Sequence, residues 1–166
     1  MDAATLKIKI SQIIKNIPIG LVVITVIFWA IFLLMWPLYN NALWDDFVYI
    51  LSAENFIVDG KMQIHEASGV PLISQIWWAS IFTKFLGYSI VTLKLSVVSL
   101  LYFALICLYF LLRELGVNKF NSTVFSLLFF AYPWTMLFAY SFLTDVPAIS
   151  WVVIALFFYT RGLNIN

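Results

Sequence analysis

The chain has 166 residues, of which 64% are hydrophobic and 10% are charged, and its formal net charge is +1. Soluble globular proteins carry roughly 45 to 50% apolar and about 25% charged residues, so this composition excludes an ordinary soluble domain and predicts an integral membrane protein. Basic residues are too few and too scattered to predict nucleic acid as a partner.

The first predicted element is a transmembrane helix at residues 17–39, which follows a basic amino-terminal segment at residues 1–16. No charged residue occurs over these 23 positions, whereas the apolar region of a cleaved signal peptide is only about 7 to 15 residues long. About 20 helical residues cross the hydrocarbon of a bilayer. We therefore expect the segment to be retained as a membrane span.

Residues 40–87 form a long loop that we expect to contain amphipathic helices lying in the lipid headgroup layer. Two sets of apolar residues recur at helical spacing, namely Trp44, Phe47, Val48 and Leu51, and later Trp78, Ile81, Phe82 and Phe85. In the first of these helices, Asp45, Tyr49 and Ser52 share the opposite side. Trp and Tyr are favoured at membrane interfaces, which supports this placement.

Three further stretches predict transmembrane helices at residues 88–112, 120–140 and 146–162. Pro133 lies inside the second stretch, where it would either kink the helix or mark its exit from the membrane. The third is short, with 15 uncharged residues between Asp145 and Arg161. The predicted fold is an all-α membrane protein with four transmembrane helices and a long outer loop.

The distribution of basic residues predicts the orientation, because short cytoplasmic segments are enriched in Lys and Arg. An amino terminus in the cytoplasm places six of the 9 basic residues on that side, namely Lys7, Lys9, Lys15, Arg113, Lys119 and Arg161. The other three, Lys61, Lys84 and Lys94, would lie on the outer side. We expect a multi-pass protein of the plasma or inner membrane, with residues 40–87 on the outer face.

Three carboxylates, Asp45, Asp46 and Asp145, fall at the outer ends of predicted helices, and each has two interpretations. The Asp45-Asp46 pair is either a solvated helix start, where carboxylates offset the helix dipole, or part of a functional site. Asp145 is either the cap of the last helix, with Pro147 in its first turn, or an ionisable group at membrane depth with a functional role. If both are functional, they would share one outward-facing pocket.

Several motifs resemble those of the polyprenyl-phosphate-dependent glycosyltransferases of the GT-C type, a group that includes protein O-mannosyltransferases and lipid A aminoarabinose transferases. Asp45-Asp46 after the first span resembles the acidic pair of that family's outer loop. Later similarities are, in chain order, the helix from Tyr49 to Ala53, Asp59-Gly60, Gly69-Val70-Pro71-Leu72 before "ISQIWWASIFTKFLG", "LLRELGVNK", and "LTDVPAISWVVIALFFYTRG". The resemblance covers about residues 20 to 163.

The resemblance implies transfer of a sugar, with inversion, from a lipid-linked phosphate donor to a hydroxyl of a protein or glycolipid acceptor. Asp45 would be the general base, Asp46 its catalytic partner, and Asp145, Tyr49 and Lys84 would contact the substrates. No cofactor is required, although some relatives bind a divalent cation, for which only carboxylates and His65 would be ligands here.

This chain differs from the family in two respects. The family's acidic pair is commonly Asp-Glu, whereas here both residues are Asp, and relatives are several hundred residues long. We therefore expect the chain to be an amino-terminal portion of a longer transferase that is inactive alone. The alternative is a small four-span accessory or scaffold protein, without catalysis, in which the acids only solvate a loop.

Overall fold

The computed structural model describes residues 18–35, 41–42, 45–70 and 73–163. The all-α prediction is confirmed, because every regular element in these ranges is a helix. In chain order the helices are α1 (Ile19–Met35), α2 (Asp46–Ile57), α3 (Ile73–Leu86), α4 (Ile90–Glu114), α5 (Lys119–Ala131), α6 (Pro133–Phe138) and α7 (Asp145–Leu163).

Two helices of the described ranges, α4 and α7, are long and apolar enough to cross a membrane. Helix α4 has 25 residues and contains an 18-residue stretch with a mean hydropathy of 2.5, and α7 has 19 residues and contains an 18-residue stretch with a mean hydropathy of 1.6. The described part of the first predicted span is the shorter apolar helix α1, of 17 residues. Residues 17 and 36–39 of that predicted span, and the predicted amino-terminal segment 1–16, lie outside the described residues.

The segment predicted as one span at residues 120–140 consists of two helices. Helix α5 ends at Ala131, Tyr132 adopts an extended backbone with ψ of 128°, and Pro133 begins the six-residue helix α6. Proline has no backbone N–H, and its ring clashes with the carbonyl group four residues earlier, so the α5 helix cannot continue through Pro133. The chain then turns and enters α7 at Asp145.

The helices alternate in direction around α4, as contacts along their lengths show. Gly20 of α1 lies against Tyr109 near the end of α4, and the Thr25 hydroxyl is 2.9 Å from the Tyr102 hydroxyl, so α1 and α4 are antiparallel. Helices α4 and α7 are parallel, because Phe157 late in α7 contacts Phe110 late in α4, with ring centroids 6.2 Å apart.

This arrangement gathers three basic residues at one end of the bundle. The last turns of α4 and α7 contain Arg113 and Arg161, and α5 begins at Lys119 immediately after α4. These three residues define the basic end of the bundle. The opposite end contains Asp46 and Asp145, the first residues of α2 and α7, and is called the acidic end below.

Helices α2 and α3 bury polar as well as apolar side chains and leave several large apolar side chains exposed. In α2, Asp46 and Ser52 are fully buried, whereas Phe47 is 48% exposed. In α3, Gln75 is buried, whereas Phe85 is 84% exposed. Ser52 faces the interior, where its hydroxyl donates to the Val48 carbonyl and accepts from the His65 amide. Trp44 lies outside the described residues.

Candidate functional site at the acidic end

Asp45 and Asp46 are adjacent in sequence but occupy opposite environments. Asp45 precedes the first turn of α2, is exposed, and makes no capping hydrogen bond with its side chain. Asp46 is 0% exposed. Successive residues of a helix point about 100° apart, so one member of an adjacent pair can face the protein while the other faces outward. The structure therefore gives the two carboxylates different surroundings.

The Asp46 carboxylate is bound to the segment that leads into α7. Its Oδ2 atom accepts a hydrogen bond of 3.3 Å from the backbone N–H of Phe142. On the other side of the same residue, the Gln75 side chain of α3 donates to the Phe142 carbonyl at 2.9 Å. Phe142 itself is 0% exposed. Helices α2 and α3 thus fix the main chain three residues before Asp145.

Lys94 is the second fully buried charge at this end. It lies in the second turn of α4, is 0% exposed, and its Nζ atom donates to the Asn41 carbonyl at 2.7 Å. Asp46 is close enough to Lys94 for their charges to interact. A buried ammonium group is tolerated only when it is paired and hydrogen-bonded. Asp46 and Lys94 therefore join α2, α4 and the α6–α7 turn through charge and hydrogen bonds.

Asp145 lies in a groove of about 610 Å³ between α5, α6 and the start of α7. Its side chain is exposed. The other lining residues are mostly apolar or aromatic, namely Phe129, Tyr132, Trp134, Thr135, Phe138, Val146, Ala148, Ile149 and Val152. Among these lining residues, Asp145 has the only carboxylate. The groove therefore combines an apolar wall with one anionic group.

The remaining sequence-predicted residues do not line this groove. Tyr49 is half-buried and packs against the main apolar core. Lys84 is exposed in the last turn of α3, roughly 13 Å along the helix axis from Gln75 at about 1.5 Å per residue. The structure thus brings Asp46 to the segment preceding Asp145 and leaves Asp45 exposed. Lys84 is separated from Gln75 and from the contact that Gln75 makes with Phe142.

Glu54 and Tyr88 form a second polar contact between α2 and the chain before α4. The Tyr88 hydroxyl donates to the Glu54 carboxylate. Burial, and then the charge and hydrogen bond of Glu54, raise the pKa of Tyr88 to about 12.

No three His, Cys, Asp or Glu side chains lie together within the described part of the chain. His65 uses its Nδ1 atom to accept from the Ala67 amide at 3.2 Å.

Sequence patterns alone did not identify the buried contact of Gln75 or the burial of Lys94. Gln75 lies within an apolar run of α3, and its partner, Phe142, is 67 positions away, so local spacing gives no signal for it. Lys94 is predicted on the outer side, whereas the structure buries it within α4. Its position inside the apolar run of α4, rather than beyond it, is the signal that could have identified it as a buried ion.

Comparison with protein-family models, with curated proteins and with solved structures found no match to this chain. The resemblance to the GT-C type transferases therefore depends on the motifs in the sequence alone.

Proposed function

We propose that this chain forms a membrane module of an inverting glycosyltransferase that uses a polyprenyl-phosphate sugar donor. The observation that supports the proposal is the hydrogen bond from the Phe142 amide to the Asp46 carboxylate. It joins the start of α2, where Asp45 is exposed, to the segment entering the groove of Asp145. Two acidic sites far apart in sequence are thus held at one end of the bundle, although only Asp145 lines the groove.

In this proposal Asp45 is the general base. Its exposed carboxylate removes the proton of the acceptor hydroxyl while that oxygen bonds to the anomeric carbon of the sugar. The bond between this carbon and the phosphate oxygen breaks on the opposite face, and its electron pair leaves with the polyprenyl phosphate. The exposed carboxylate is accessible to an acceptor, and the hydrogen bond of the adjacent Asp46 ties the start of α2 to the chain before α7.

Asp46 has a different role in the proposal from that implied by the resemblance. Its carboxylate is fully buried and accepts from the Phe142 amide, so it cannot reach an acceptor hydroxyl without breaking this contact. We assign it as a positioning residue that holds Asp45 relative to α7. Asp145 and Tyr49 would contact the acceptor, and the exposed ammonium of Lys84 would meet the donor phosphate at the far end of α3.

The proposed membrane placement has four crossings, with the basic end in the cytoplasm and the acidic end outside. Arg113, Lys119 and Arg161 gather at one end of the bundle, and short cytoplasmic segments are enriched in such residues. The outward-facing Phe47 and Phe85 of α2 and α3 would lie in the headgroup layer, since extended exposed apolar surface marks contact with a membrane or another protein.

The direct test is sugar transfer from a radiolabelled polyprenyl-phosphate donor in membranes of cells that express the native gene. Asp45→Asn removes the proposed base and should lower turnover by at least about a hundredfold, which is the usual contribution of general base catalysis. Asp59→Asn is the matched control, because Asp59 is an exposed aspartate just after α2. Equal turnover of the wild type and the Asp45→Asn variant would refute the proposal.

The scaffold alternative is favoured by one observation, the burial of both Asp46 and Lys94 inside the bundle. Such contacts fix helices to one another without requiring any reaction. A scaffold would tolerate Asp45→Asn without loss of function. Removal of Asp46 would impair it by disturbing the packing of its helices. The transfer assay therefore separates the two functions.

A further inference from the structure

The groove around Asp145 has the shape and surface of a site for an apolar chain. Its volume of about 610 Å³ lies in the usual range of ligand sites, roughly 300 to 1,000 Å³. Aromatic rings from α5 and α6 form one wall, and the side chains of Ala148, Ile149 and Val152 on one face of α7 form the other.

The interruption of the helix at Tyr132 and Pro133 is a second observation at the same place. Pro133 cannot donate to the carbonyl of Phe129 as an uninterrupted helix would require, and Tyr132 has an extended backbone. Irregular backbone at membrane depth is tolerated where it lines a cavity, and broken helices are a common feature of membrane binding sites. Here both Phe129 and Tyr132 line the groove.

The charge of the groove restricts the head group of its occupant. Asp145 contributes a full negative charge, and the positive end of the α7 dipole offsets only about half of a charge. The lining residues include no Lys, Arg or His. A phosphate head group beside Asp145 would therefore be repelled, whereas an ammonium group would be attracted and could donate hydrogen bonds to the carboxylate.

We propose that this groove binds an amphiphile with an apolar chain along α5, α6 and α7 and an ammonium head group paired with Asp145. Asp145 is also part of the proposed transferase site, and this amphiphile is the class of molecule that the residue would contact there. Binding of the amphiphile does not require sugar transfer. Binding and turnover are measured separately, so failure of one is distinguishable from failure of the other.

The test uses two photoreactive probes with the same diazirine-bearing dodecyl chain, one ending in a primary ammonium group and the other in a phosphate. The intact protein is placed in phosphatidylcholine nanodiscs at neutral pH without any sugar donor. Peptides labelled by each probe are identified by mass spectrometry. We expect the ammonium probe to label the α5, α6 and α7 groove peptides roughly fivefold more than the phosphate probe, as one solvent-accessible ion pair would produce.

Three variants examine the charge and the shape independently. Asp145→Asn should reduce the ratio between the two probes to about one while the chain continues to bind. Ala148→Trp should fill the groove and remove labelling by both probes. Ala155→Trp is its matched control, because Ala155 is exposed and lies two turns further along the same face of α7, outside the groove.

Several outcomes would overturn the proposal. Equal labelling by the two probes, or an ammonium preference that persists in Asp145→Asn, would show that Asp145 does not select the head group. Unchanged labelling in Ala148→Trp would show that the chain binds elsewhere. Crosslinks between two copies of this protein at the α7 groove peptides would show that a second chain fills the groove instead.

Discussion

The backbone amide of Phe142 donates to the carboxylate of Asp46 across 96 positions of sequence. This contact joins the first residue of α2 to the turn that precedes α7. Gln75 binds the carbonyl of the same residue, so Phe142 is held through both of its peptide groups. These bonds help to fix the position of Asp145 relative to Asp45.

Removal of Asp46 should be among the most destabilising changes in the chain. Asp46→Ala leaves the Phe142 amide without this acceptor and removes a charge that acts on the buried Lys94, so we expect a loss of about 3 to 5 kcal/mol in the free energy of unfolding. Asp46→Asn keeps an acceptor oxygen and should lose about 1 kcal/mol less. Denaturant unfolding in detergent, followed by circular dichroism, measures both.

The double variant Asp46→Ala/Lys94→Met provides the control for that prediction. If the two charges depend on one another, the double variant should lose less stability than the sum of the single variants, because neither charge is left buried alone. Additive losses would show that Asp46 and Lys94 contribute independently, and would contradict the coupled role assigned to them here.

The positions of the long helices could be predicted from the sequence, because uncharged length alone indicates where an apolar helix runs. The structure places α4 at Ile90–Glu114 and α7 at Asp145–Leu163, close to the predicted spans 88–112 and 146–162. The break at Pro133 was one of two outcomes anticipated from proline chemistry. These features depend on residues that are close together in the sequence, so a single sequence is enough to predict them.

The inward-facing side of α2 and the partners of its polar residues could not be predicted in the same way. Helical periodicity groups Phe47 with Val48 and Leu51, yet Phe47 and Leu51 are exposed while Asp46 and Ser52 are buried. Periodicity identifies an apolar face but does not say whether it meets the core or the surroundings. The Asp46 and Gln75 contacts with Phe142 are long-range, and nothing in the local pattern encodes them.

Gly20 permits the close approach of α1 to α4 and α5. A β-carbon at this position would overlap the side chains of Thr123 and Tyr109. Gly20→Ala should therefore destabilise the protein by about 1 to 3 kcal/mol through overpacking. Gly162→Ala is a matched helical control with open space at the same atom, and it should be neutral or stabilising by up to about 1 kcal/mol. Thermal unfolding of the two variants in the same detergent tests this difference.

Tyr88 should titrate at unusually high pH because burial and Glu54 raise its pKa from 10.0 to about 12. The protonated hydroxyl is the form stabilised by folding, so its contribution to stability is complete below about pH 10 and is lost as the pH rises through about 12. A tyrosinate absorbance titration of the folded protein should show this transition, and it should be missing in Tyr88→Phe.

Glu54→Gln separates the two causes of that shift. It removes the negative charge that acts on Tyr88 but leaves the tyrosine buried, and burial is the larger cause. The transition should therefore move toward, but not reach, the ordinary pKa of tyrosine near 10. A transition already at the ordinary value in the wild type would show that Tyr88 is neither buried nor in contact with Glu54 in solution.

Asn121 and Asp59 should lie on opposite sides of the membrane. Asn121 belongs to the first turn of α5 at the basic end, and Asp59 follows α2, whose first residue lies at the acidic end. Both residues are exposed, so each can be replaced by cysteine in a Cys107→Ala background. An impermeant maleimide added to intact cells should label the Asp59→Cys variant, whereas the Asn121→Cys variant should react only after the membrane is opened.

The sequon Asn121-Ser122-Thr123 gives an independent readout of the same orientation, because an acceptor on the cytoplasmic side does not meet the glycosylation machinery. In a eukaryotic expression host the wild-type chain should therefore remain unglycosylated at Asn121. A sequon engineered at residues 59–61 by Asp59→Asn and Lys61→Thr should receive a glycan. A glycan on Asn121 would reverse the orientation and place Asp45 and Asp145 in the cytoplasm. Maleimide labelling of the two cysteines from the same side would show that Asn121 and Asp59 do not lie on opposite sides of the membrane.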